Sequence, residues 1–281
     1  MRTNLTSQIT LNHVNTSYYK PKNAFEQAQL TRLEKVPTYI YENADEASQQ
    51  IAREIADTIR QKEAAYKPCV MVLTGGATPR QLYAELVRMH REEALSFRNV
   101  IVFNLYEFYP LAEDTVFSNL KALKDMLLDH VDIDPKRTHV PDGLHTTPEN
   151  AADYDKMIGA AGGIDLLLLG IGANGHIGFN EPGSSFDTLT HIADLDESTR
   201  QANARFFASP EEVPAQAVTM GIHTIMQARS IILMAFGANK AQAVAAAVTG
   251  PVSSDVPASV LRLHPDVTIY ADDEAAAGIK V

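Results

Sequence analysis

Tryptophan is absent from this 281-residue chain, and cysteine occurs once, as Cys69. A single thiol cannot close an internal disulfide, so the core must hold the fold together, and a reducing, cytoplasmic setting is expected. Beside Val70 at a strand start, Cys69 reads as a small buried hydrophobe rather than a nucleophile. Long apolar runs are missing too. None approaches the ~20 residues that span a bilayer, and the opening MRTNLTSQITLNHV has no apolar centre of signal-peptide type. Basic excess is the third absence: 24 Lys and Arg against 35 Asp and Glu leave a formal charge of −11. Such a surface suits neither nucleic acid nor an anionic membrane, both of which need clustered Lys and Arg. A small anionic ligand remains compatible, because a few local cations and backbone N–H groups can hold it.

What is present is an alternation of short apolar runs and amphipathic stretches, within a composition that is 45% hydrophobic and 21% charged. Residues 38–41 are rich in β-formers, and residues 45–61 follow with Ala47, Ile51, Ile55, Ala56 and Ile59 on one helical stripe. Strands are expected at 69–73, 99–104, 164–169, 230–236 and 267–271. Helices are expected from Thr78 to about His90 and over 117–128, 150–158, 213–227 and 241–248. This pattern predicts an α/β fold, a doubly wound, mostly parallel, Rossmann-like sheet with helices on both faces, over residues 33–281 as one domain. Residues 1–32 are polar and aperiodic; they read as an arm on a neighbouring subunit or as a disordered leader.

Two turns carry the chemistry. Residues 164–169 form an almost wholly apolar run, which predicts a central strand buried on both faces. It stops abruptly at Gly170, Gly172 and Gly175, which let the backbone turn sharply and a ligand approach it. His176, Asn180 and Glu181 follow within six residues. From spacing alone, a ligand loop and a Gly-rich turn with solvated side chains are both open readings. The second turn is TGGATP after residues 69–73, where Thr78 fits an N-cap, Pro79 the first helical position and Gln81 a capping box. The bare backbone at Gly76, Ala77 and Thr78 would then meet the positive end of a helix dipole, which suits a phosphate.

The wording of these turns is more specific than their spacing. GIGANGHIGFNEPGSS resembles the signature of the glucosamine-6-phosphate deaminases, which belong to the 6-phosphogluconolactonase-like superfamily, and the FNEP ending looks like the deaminase branch alone. TGGATPRQLY is similar to the superfamily's phosphate loop. The resemblance runs from about Leu33 to Val281, and the family continues into one more helix, so a domain truncated at its C-terminus is expected. It implies a small-molecule sugar phosphate as ligand, no cofactor, no metal and a homo-oligomer. His176 matches the ring-opening histidine and Glu181 the carboxylate that orients it; Arg205 in ANARFF and Lys240 in GANKAQA match the phosphate cations.

Two positions depart from the family pattern. Tyr106 in LYEFYPL stands where the family has the aspartate that moves the C2 proton, and Asn174 stands where the central loop has Asp-Gly-His. Both changes remove a carboxylate, and a tyrosine of ordinary pKa near 10 is a poor base. Glu107 matches the family but points elsewhere if its segment stays extended. Two functions are therefore expected in competition: an aldose–ketose isomerase or deaminase of amino sugar phosphates with altered acid–base groups, and a catalytically weak sugar-phosphate-binding or regulatory domain. Lactone hydrolysis is disfavoured by the FNEP ending.

Overall fold

The computed structural model describes residues 2–4, 36–112 and 115–279. Apart from strand β1 (Arg2–Asn4), the expected extension of residues 1–32 lies outside the described residues. Eight described strands form the main sheet. They are β1, β2 (Thr38–Tyr41), β3 (Cys69–Leu73), β4 (Val100–Asn104), β6 (Thr138–His139), β7 (Leu166–Gly170), β10 (Ser230–Ala235) and β11 (Val267–Asp272). Their order is β1-β2-β11-β10-β7-β3-β4-β6, parallel throughout except for the antiparallel β1–β2 pair at one edge.

From β3 the chain winds outward through β4 to β6, then returns to the other side of β3 at β7 and winds away through β10 to β11. The winding direction therefore reverses between β3 and β7. The loops leaving their carboxyl ends part there, and the crevice between them is where ligands of doubly wound sheets bind.

β7 shows why the leucine run is a strand. Leu167 and Leu169 enter one apolar layer with Val244 and Val248 of α7 (Ala241–Thr249) and Ile158 of α4 (Asp153–Ala160). Leu166 and Leu168 enter the other with Ile51, Ile55 and Ile59 of α1 (Ala44–Ala64) and Leu82 and Leu86 of α2 (Arg80–Glu92). Successive side chains point to opposite faces, so four consecutive leucines are buried only where both faces are covered. Cys69 is fully buried in the second layer, and burial pushes its thiol up to about 12.

A second, three-stranded antiparallel sheet lies beside the crevice: β5 (Tyr106–Tyr109), β9 (Gln216–Thr219) and β8 (His191–Asp194). It corrects one expectation, since residues 213–227 are not one helix but β9 followed by the short α6 (Ile222–Met226). Gly221 divides them, because a Cβ there would lie 2.1 Å from the Leu189 carbonyl oxygen. β9 takes ladder bonds from both neighbours, which outweighs its helical pattern. The capping box also fails to form: α2 begins at Arg80 and Thr78 makes no capping bond.

At the amino-terminal end of the sheet, away from the crevice, Asp165 accepts from the Val70 amide (3.0 Å), Lys62 Nζ (2.5 Å) and Arg229 Nη1 (2.9 Å). It ties α1, β3 and the start of β10 to β7. Asp165→Ala is expected to lower unfolding free energy by ~1.5–3 kcal/mol, the scale of bonds to a charged group. Chemical denaturation measures the loss, and ligand affinity at the opposite end of the sheet should not change.

Candidate active site

The crevice at the β3/β7 divergence is a pocket of about 180 Å³. Eight of the ten residues singled out from the sequence line it: Gly76, Ala77, Thr78, Tyr106, Asn174, His176, Arg205 and Lys240. Glu181 stands directly behind His176. Glu107 is turned away.

The anion-binding half forms where β3 runs into α2. Gly76 has φ +92°, a conformation that glycine adopts without strain. Gly76, Ala77 and Thr78 donate their amides to no acceptor among the described residues, and they precede the N-terminus of a 13-residue helix. The loop is braced from below: the Tyr83 hydroxyl donates to the Thr74 carbonyl at 2.7 Å. Opposite stand Lys240 and Arg205, neither within ion-pair distance of a carboxylate among the described residues. The turn carrying Lys240 is fixed by Asp272, whose two carboxylate oxygens accept from the Gly237 amide at 3.0 and 2.9 Å. Burial, and then the charge of Arg205, lowers the Lys240 pKa from its ordinary value. Two like charges beside free amides are a costly arrangement that a bound anion relieves.

The other half is built on the turn after β7. His176 Nδ1 lies 3.3 Å from Glu181 Oε2, and the hydroxyl of Thr199, on α5 (Glu197–Asn203), is 3.3 Å from the same nitrogen. Gly172 is the floor beneath the imidazole, since a Cβ on it would come within 2.4 Å of the ring. The Asn174 amide group donates to Glu181 Oε2 (2.7 Å) and to Asp196 Oδ2 (3.2 Å), while its oxygen accepts from the His176 backbone amide (3.1 Å). An aspartate at 174 could make only the last of these bonds and would add a third carboxylate to the cluster. The amide thus suits its surroundings, which the sequence could not reveal because Asp196 is 22 residues distant. Asp196 and Thr199 were not legible as site residues; DEST reads as an ordinary helix start.

Between the halves, Tyr106 packs on Phe179 with ring centroids 4.2 Å apart. Burial pushes its phenol up from the ordinary value and the Glu107 charge adds to this, against the pull of Thr74. The phenol is protonated near neutrality. On the opposite side of β5, Glu107 accepts from the amides of Phe108 (3.0 Å), Asn119 (2.9 Å) and Leu120 (3.2 Å), which caps α3 (Asn119–Met126). Glu107 therefore lies outside the pocket lining, because the period of two along β5 sends it away from the side that Tyr106 faces. Burial raises its pKa against the pull of these bonds. Among the described residues, no group of three or more His, Cys, Asp or Glu could hold a metal ion, and no helix is long and apolar enough to cross a membrane.

The family model for glucosamine-6-phosphate isomerases and 6-phosphogluconolactonases matches residues 42–270. The chain belongs to that family. It is 46% identical over 235 residues to a glucosamine-6-phosphate deaminase of Bacillus velezensis, covering 83% of this chain and 96% of the relative. A Bacteroides thetaiotaomicron protein named as a glucosamine-6-phosphate deaminase-like protein is 49% identical over 282 residues, 99% of this chain. This chain spans only 42% of that relative's length. The solved structure of a monomeric glucosamine-6-phosphate deaminase superposes with a TM-score of 0.83 at 41% identity, over 86% of this chain and all of that one. The 6-phosphogluconolactonase of Trypanosoma brucei, at 23% identity and a TM-score of 0.71, shares the fold.

Burial raises the Glu181 pKa, but its bonds to His176, Thr199 and Asn174 outweigh this and hold the net value below the ordinary carboxylate range. A depressed folded pKa contributes stability above the unfolded value of about 4.3, and that contribution is lost as pH falls through the folded value. Glu181→Gln should therefore melt below the unaltered protein at neutral pH, with the gap closing only on acidification below about pH 4.3. Thermal unfolding of both proteins across pH checks this.

Proposed function

We propose that residues 33–281 form a sugar 6-phosphate enzyme of the deaminase and aldose–ketose isomerase type, with its phosphate site and ring-opening pair in place and its C2 base replaced. The observation carrying this reading is the meeting of Arg205, Lys240 and the free amides of residues 76–78 with the His176–Glu181 pair in one pocket. In this reading the phosphate sits against the two cations and the loop. The sugar ring then extends toward His176, whose imidazole can move a proton between the ring oxygen and the anomeric hydroxyl. Glu181 and Thr199 fix the orientation of that ring through Nδ1.

The deaminase reaction next requires a proton to move from C2 to C1 and the amine to leave. Tyr106 is a protonated phenol, Glu107 caps a helix, and no carboxylate is among the described residues lining the pocket. A second reading, a sugar-phosphate binder with slow turnover, is favoured by this absence. Losing a positioned base typically costs about 10²–10⁴-fold in rate.

Titration calorimetry with a hexose 6-phosphate tests the binding half. Lys240→Ala is expected to weaken binding by ~1.5–3 kcal/mol and Arg205→Ala by less, since Arg205 is exposed. Unchanged affinity in both would remove the phosphate site. Ammonia release from glucosamine 6-phosphate tests the chemistry: His176→Ala should abolish whatever turnover the protein has, and Tyr106→Asp should raise it by at least ~10-fold. Ordinary enzyme rates in the unaltered protein, lowered by Tyr106→Asp, would show that the base lies elsewhere.

A further inference from the structure

The pocket is unbalanced in charge. Lys240, Arg205 and the free amides at the start of α2 make it positive, and its described lining holds no Asp or Glu. The neighbouring carboxylates are already engaged. Glu181 and Asp196 receive the Asn174 amide behind the pocket wall, and Glu107 receives the N-terminus of α3. Tyr106 presents an uncharged ring packed on Phe179.

Glucosamine 6-phosphate carries an ammonium group on C2 near neutral pH. In this pocket that group would lose water, find no counter-charge among the described lining residues and share the space with two cations. A buried charge without a partner is among the most unfavourable groups a site can take. A C2 hydroxyl or acylamino group carries no such penalty, because it needs only hydrogen-bond partners or an aromatic surface. Resting on the sugar-phosphate reading above, we propose that the site selects hexose 6-phosphates with an uncharged C2 substituent, a hydroxyl or an acylamino group, over the amino sugar phosphate.

Calorimetry on the full chain at neutral pH decides this, with glucose 6-phosphate, N-acetylglucosamine 6-phosphate, glucosamine 6-phosphate and inorganic phosphate as the four ligands. One of the first two should bind at least about tenfold more tightly than glucosamine 6-phosphate. If glucosamine 6-phosphate binds as tightly as either, the selectivity is overturned while the sugar-phosphate site stands. If none of the three sugars binds more tightly than inorganic phosphate, the sugar-phosphate reading itself falls. Tyr106→Asp supplies the missing charge and should narrow the gap by about tenfold. A gap that stays open in a folded Tyr106→Asp protein would overturn the claim that the absent carboxylate sets the preference.

Discussion

Four leucines buried on alternate faces of one strand are the constraint on which the rest of this molecule depends. Leu166–Leu169 cannot be satisfied by a single apolar layer, so helices must cover both sides of the sheet. Strands covered in this way are parallel, and their connections return over the faces. With β7 beside β3 and the winding reversed between them, two loops diverge at the same edge. One carries free amides and a helix start, the other an imidazole backed by a carboxylate.

The electrostatics of the pocket follow a division of labour. Positive charge faces the cavity, from Lys240, Arg205 and the loop amides. Negative charge is withdrawn one layer behind it, on Glu181, Asp196, Glu107 and Asp272, each engaged with an amide or the imidazole. The withdrawn carboxylates hold the turns in shape: Asp272 fixes the turn of Lys240, and Glu107 fixes the start of α3. A pocket so arranged is suited to attract an anion and orient one histidine. It carries little provision for a positive substituent.

Much of the fold could be read along the chain because it rests on local signals. Strand β7, the stripe of α1 and the glycine turns each announce themselves through neighbours close in sequence, and parallel β/α alternation follows from their order. The small antiparallel sheet could not be read this way. β9 carries a pattern compatible with helix, and only its pairing with β5 and β8 makes it a strand. Among the site residues, those in glycine turns or in distinctive words were legible, while Asp196 and Thr199 were not, since what places them is a long-range hydrogen bond to the central loop.

The sequence by itself determined the class of the fold and the two glycine turns that face the pocket, together with the residue types that those turns carry. Each of these is a property of residue type and of neighbours close along the chain. The tertiary structure alone decided where the side chains of residues 106, 107 and 174 point and what they meet. Alternation along β5 turns Tyr106 into the pocket and Glu107 out of it, and the approach of Asp196 gives the Asn174 amide two acceptors that an aspartate would repel. Side-chain direction and the meeting of charges distant in sequence are set by packing, and packing exists only once the chain has folded.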